Sequence, residues 1–161
     1  MSVIIANDQI RTLTQGIKVD RATATLPATA TGSIFTVAGG RVLLVALLGE
    51  VTTAIQAQAI NINLVHTPTT GTVGDLCAAT ACISDGVATL YHITGVPADL
   101  MSAEKVGGTV VPVDYVAGVL TRQMILPIGA VGLKTSATNT GSIKWSLIYV
   151  PFDNGASVVA A

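Results

Sequence analysis

Ile143-Lys144-Trp145-Ser146-Leu147-Ile148-Tyr149-Val150-Pro151 decides the fold class of this chain. Ile143, Trp145, Leu147 and Tyr149 alternate with Lys144, Ser146, Ile148 and Val150. A period of two is the signature of a strand and not of a helix. Turn chemistry precedes the segment at Ala137-Thr138-Asn139-Thr140-Gly141, and Pro151 ends it because proline brings no N–H to a ladder. Ser157-Val158-Val159 adds a short strand beyond it.

Working outward, the same chemistry recurs. Short runs rich in Val, Ile and Thr are punctuated by Gly, Pro, Asn and Asp. Strands are expected over Lys18 to Leu26, Ser33 to Val37 and Arg41 to Val51. The core of the third, Val42-Leu43-Leu44-Val45-Ala46-Leu47-Leu48, does not alternate and is bounded by Gly40 and Gly49. Such a strand is buried on both faces, between two layers or against another subunit. In Thr53 to Val65, Ile60, Ile62 and Leu64 take one face, and Asn61 and Asn63 the other. Residues 54–59 have the opposite parity, which calls for a β-bulge near Ala59 or a short helix. His66 to Thr72 is a break, and Asp85-Gly86 suggests a hairpin between Asp75 to Ser84 and Val87 to Thr94. Pro97 to Lys105 carries a helical turn. Thr109 to Val113 and Tyr115 to Val119 are marginal strands, and Gln123 to Ile128 and Ala130 to Ser136 flank a turn at Pro127 to Gly129. The sum is an all-β domain, a jelly-roll-like antiparallel β-sandwich or compact barrel, over residues 18–161. Residues 1–17, polar with scattered Ile and Leu, read as an extended N-terminal arm.

Composition then limits function. Charged residues make up 11% of the 161, against about 25% in an average chain. Hydrophobic residues make up 50%. A lone domain needs a better solvated surface, so the chain is expected to cover much of itself with copies or a partner. A membrane does not account for the composition. The longest apolar run, Val42 to Leu48, has seven residues, and a spanning helix needs about 20. One Trp, three Tyr and two Phe cannot build the aromatic girdles of a membrane barrel. A net charge of −1 with dispersed Lys and Arg gives no footprint for nucleic acid. The first residues lack a basic region and a long apolar core, so synthesis and assembly in a cytoplasm are expected.

Catalytic chemistry finds little material. His66 and His92 have no Glu at metal-ligand spacing. Cys77 and Cys82 are five positions apart, on opposite faces of a regular strand, and read as small buried apolar residues. Asp85 and Asp153 read as turn residues, while Glu50 and Arg41 at the ends of the apolar run read as members of structural ion pairs. The glycine doublets Gly39-Gly40 and Gly107-Gly108 lack the Lys-Ser/Thr that completes a phosphate cradle. No catalytic, cofactor or metal site is assigned, and the chain is not expected to be an enzyme; a lysin would need convergent acids or histidines.

The segment Ser33 to Gln58 resembles a group of small tailed-phage and prophage virion proteins. So do Asn63-Leu64-Val65, Gly74-Asp75-Leu76-Cys77, Thr89 to Gly95 and the ending Gly141-Ser142-Ile143-Lys144-Trp145 with Tyr149-Val150-Pro151. The resemblance covers roughly residues 30 to 95 and 120 to 161 and is carried by structural rather than catalytic motifs. It implies a head decoration or cement protein on the outer capsid surface. The partners it implies are the major capsid protein and further copies of the chain, in a homotrimer. The competing reading is a tail or spike component, or a receptor-binding module for a host sugar. That module needs an exposed aromatic platform, which Trp145 and Tyr149 would supply unless they pack in the core. Apolar excess nominates Val42, Leu44 and Leu48, with Ile4, Ile5 and Ile10 of the arm, as interface residues.

Overall fold

The computed structural model describes residue 12, residues 14–104 and residues 122–161. Twelve strands form among them: β1 (Ile17–Thr25), β2 (Thr31–Ala38), β3 (Val42–Thr53), β4 (Asn61–Pro68), β5 (Gly74–Asp75), β6 (Thr80–Ala81), β7 (Leu90–His92), β8 (Ser102–Glu104), β9 (Met124–Leu126), β10 (Gly129–Thr135), β11 (Ser142–Pro151) and β12 (Ser157–Ala160). They make two sheets that pack face to face. The first has the order β1-β11-β3-β7-β8, with β9 also on β3. The second has the order β12-β2-β10-β4-β5, with β6 also on β4. Every strand pair is antiparallel.

The topology follows from rolling up one long hairpin. The outgoing limb is β1 to β4, and its partners on the way back are β11, β10, β7 and β5. Rolling that ribbon adds the new pairs β3–β11 and β4–β10. The result is a jelly-roll sandwich. The sheets do not close into a barrel.

Alternation builds the core. Ile143, Trp145, Leu147 and Tyr149 of β11 all face inward and are buried. Phe35, Val37, Ile62, Leu64, Val131 and Leu133 face them from the second sheet, in one contiguous cluster. Each fully buried side chain of this kind contributes roughly 1.5–3 kcal/mol. Trp145 pairs across the ladder with Gly49. A Cβ added at Gly49 would stand 2.7 Å from the Trp145 ring. Gly49 therefore lies inside β3 rather than ending it, and the space its side chain vacates holds the indole.

The β3 apolar run alternates after all. Val42 and Leu44 point inward, and so do Leu47 and Val51, while Leu43, Val45 and Leu48 are half-buried on the other face. A bulge changes the parity: Tyr149 pairs with Leu44 and Ile148 with Ala46, leaving Val45 as the extra residue. That bulge is what disguised the alternation.

Three other expectations are corrected. Residues 54–60 form a loop, not a bulged strand or a helix. Ile55 is nonetheless buried, and its N–H donates to the Asp85 carbonyl. Residues 75–94 are not a hairpin, because β5 and β6 join β4 in the second sheet whereas β7 joins β3 in the first. Asp85 is buried instead of capping a turn, and the Tyr91 hydroxyl donates to it at 2.5 Å. A buried carboxylate needs such a partner, and this bond draws the loop inside. At 97–104, the described part of the segment expected to carry a helical turn, there is a turn followed by β8 and no helix. The marginal strands expected at 109–119, and the arm up to residue 11, lie outside the described residues.

Filling the space over Trp145 tests this packing. Gly49→Ala is expected to lose about 1–3 kcal/mol of stability through overpacking. Gly74→Ala, where an added Cβ meets nothing within 4 Å, is expected to change stability by less than about 0.5 kcal/mol. Urea denaturation of the two variants measures both.

Candidate functional site

The outer face of the first sheet is the surface whose composition stands out. Register places its side chains in rows. Val150, Leu43 and Ile125 lie side by side at one end. Lys18, Ile148 and Ala46 form the next row, and Asp20, Ser146, Leu48 and His92 the third. Lys144, Glu50 and Leu90 form the fourth. The face thus runs from apolar at one end to charged at the other.

At the apolar end Ile125 is 47% and Val150 40% exposed. Leu43, Val45 and Ile148 are half-buried around a groove of about 350 Å³, whose rim carries Thr14, Gln15 and Gln123. These residues answer to a signal in the sequence: Ile148 and Val150 occupy the parity that Lys144 and Ser146 mark as outward. Apolar side chains on the solvent face of a strand have no role in the chain's own core.

At the charged end a hollow of about 390 Å³ lies among Lys18, Asp20, Arg21, Glu50, Lys144 and Ser146. Lys18 meets Asp20 at 2.8 Å, and Lys144 meets Glu50 at 2.8 Å. Ser146 Oγ donates to Asp20 at 2.5 Å. Lys18 and then Ser146 hold the Asp20 carboxyl below the usual carboxylate range. Lys18 is thus paired with Asp20 and Lys144 with Glu50, the structural ion pair expected of Glu50, while Arg21 Nε donates to the Ala161 carbonyl oxygen at 3.1 Å.

Arg41 has one too. Its guanidinium donates to both Asp153 oxygens at 2.8 Å, its backbone N–H donates to the same carboxylate, and it lies 4.8 Å from the Phe152 ring centre. This fork ties the β2–β3 turn to the β11–β12 turn and brings the Asp153 pKa down to about 2.

The nominated interface residues divide. Val42 and Leu44 are 0% exposed and belong to the core. They have no surface to give a partner, and this corrects their nomination. Leu48, on the far side of the bulge, is half-buried on the outer face beside Ser146 and His92. Ile4, Ile5 and Ile10 lie outside the described residues. Trp145 and Tyr149 are 1% and 4% exposed, so they pack in the core and form no platform for a sugar.

The groups with chemistry are held inside. Cys77 and Cys82 are buried free thiols. Burial pushes their pKa up to about 11 and about 12, which keeps them protonated and poorly nucleophilic at neutral pH. Burial first, and then Asp85, also raise the Tyr91 pKa. His66 and His92 are both buried, and burial lowers the pKa of each. His66 Nε2 donates to the Pro127 carbonyl at 3.1 Å. Among the described residues no group of three or more His, Cys, Asp or Glu side chains is placed to hold a metal ion. No helix among them is long and apolar enough to cross a membrane.

No protein-family model, no curated protein and no solved structure matches the chain.

The buried histidines set a pH dependence. The unfolded chain takes up two protons near the ordinary value of 6.5, and the folded chain takes them up only at lower pH. Stability is therefore full well above pH 6.5 and falls as pH drops through that value. The Asp20 and Asp153 contributions are lost in a separate window, below their ordinary value of 3.8. Thermal midpoints are expected to fall between about pH 7.5 and pH 5, and the fall is expected to be shallower in His66→Gln and His92→Gln.

Proposed function

We propose that this chain is a structural virion protein of the tailed-phage head-decoration type. It works by laying apolar surface against the assembled shell and against copies of itself. The observation that carries this reading is the apolar end of the outer sheet face, Leu43, Val45, Ile125, Ile148 and Val150, which the chain's own core does not use. The low charge of the whole chain supports it as well. The sequence resemblance to small virion proteins names the shell as the partner and a homotrimer as the assembly. A trimer engages several sites at once, so weak single contacts multiply into a firm hold. Binding the assembled shell in preference to its free parts stabilises the shell by mass action. The reading includes no catalytic step, and it places the protein on the capsid surface.

The sugar-binding alternative loses support with the burial of Trp145 and Tyr149. A position on the tail uses the same apolar contact and is separated from the head by imaging. Mass spectrometry of purified particles is expected to recover the chain in many copies, and electron microscopy to show its density on the outside of the head. Density confined to the tail, or absence from particles, contradicts the proposal. Val150→Lys is expected to lower occupancy about tenfold, the equivalent of roughly 1.4 kcal/mol of lost contact. Its circular dichroism is expected to stay unchanged, because Val150 lies outside the core.

A further inference from the structure

The first sheet ends at β1. This strand has nine residues and its ladder runs to β11 on one side; among the described residues no strand forms a ladder with its other side, although β12 lies near β1 and Arg21 Nε donates to the Ala161 carbonyl oxygen at 3.1 Å. An open edge of this length is a template for another strand unless something blunts it.

Natural edges are commonly blunted by charge, and β1 carries charge on its outer face, Lys18 and Asp20. Two charges of one sign would repel a second copy. Here the signs are opposite and the residues are two apart, so the pattern is complementary to itself in an antiparallel pair. The regular part of the edge points to one register. A bulge interrupts β1 after Arg21, so the regular part of the edge is the five residues Ile17 to Arg21, with Val19 at the centre. An antiparallel pair of such segments centred on Val19 sets Lys18 opposite Asp20 of the second copy, twice over. Ile17 and Val19, on the inner face, are half-buried against the core at this edge. A further strand beside them would cover the surface they leave in water.

We propose that two copies of this chain join edge to edge through β1, about a two-fold axis at Val19. The two first sheets then run on as one. A two-fold axis between antiparallel strands stands normal to the sheet, so the two outer faces look the same way. The contact does not rest on the virion reading.

Charge exchange tests it without disturbing the core, since Lys18 and Asp20 are both exposed. Lys18→Asp leaves acids at both positions, and Asp20→Lys leaves lysines at both. In analytical ultracentrifugation at about 100 μM, the unaltered protein, of 16.3 kDa per chain, is expected to sediment as a dimer, or as a hexamer where the proposed trimer forms as well; a trimer alone upholds the trimer and overturns the β1 contact. Each single variant is expected to sediment at half that mass. Mixing the two variants is expected to restore the full mass, because each acid then faces a lysine. The double exchange Lys18→Asp with Asp20→Lys is expected to behave like the unaltered protein. The proposal is overturned if the unaltered protein is an odd multiple, if either single variant keeps the full mass, or if the mixture does not recover it.

Discussion

Trp145 lying over Gly49 is the contact on which the rest of the molecule depends. It sits where β11 crosses β3, the pair that rolling the hairpin creates. An indole needs a broad space, and a glycine opposite it supplies that space without a bend in either strand. The ladder between these strands then extends from Val42 to Thr53, with β1 laid on one side and β7 and β9 on the other. The second sheet closes over the same core cluster with Phe35, Ile62 and Leu64. Ordinary alternation then places the core residues of the strands, and loop residues such as Ile55, Leu76, Cys82 and Met101 complete the cluster.

The same two strands also explain the outer face. Each has one face committed to the core and a second face free for other use, with the parity of β3 switching at its bulge. In β11 the free face begins with Lys144 and Ser146 and ends with Ile148 and Val150. In β3 it begins with Leu43 and Val45 and ends with Leu48 and Glu50. Antiparallel pairing brings the apolar halves together and the charged halves together. The charged half neutralises itself through Lys18–Asp20 and Lys144–Glu50. Among the described residues the apolar half has no such internal resolution, and its surface is the reason to look for a partner. If the β1 edges join, the two apolar halves of a pair face one side, which suits contact with a common surface.

Much of this was legible in the sequence. The alternation of 143–149, the prolines and glycines that bound the strands, and the turn before β11 act locally, so a one-dimensional reading finds them. What escaped depends on distant partners. The bulge at Val45 is visible only as a register shift against β11, and without it Val42, Leu44 and Leu48 share a parity that the fold divides between core and surface. Asp85-Gly86 has the chemistry of a tight turn, but a hydroxyl six residues away draws the carboxylate inside. Ile148 and Val150 were visible as apolar residues on a polar parity; that they face Leu43 and Ala46 required the pairing.

The account's central claim is that the apolar end of the outer sheet face is covered when the protein is at work. Oxidative footprinting of Leu43, Ile148 and Val150 measures this directly, comparing the isolated chain with the chain in purified particles. The account predicts strong labelling of all three in isolation and marked protection in the assembly, with core residues such as Leu147 unlabelled in both. Equal labelling in the two states would contradict it.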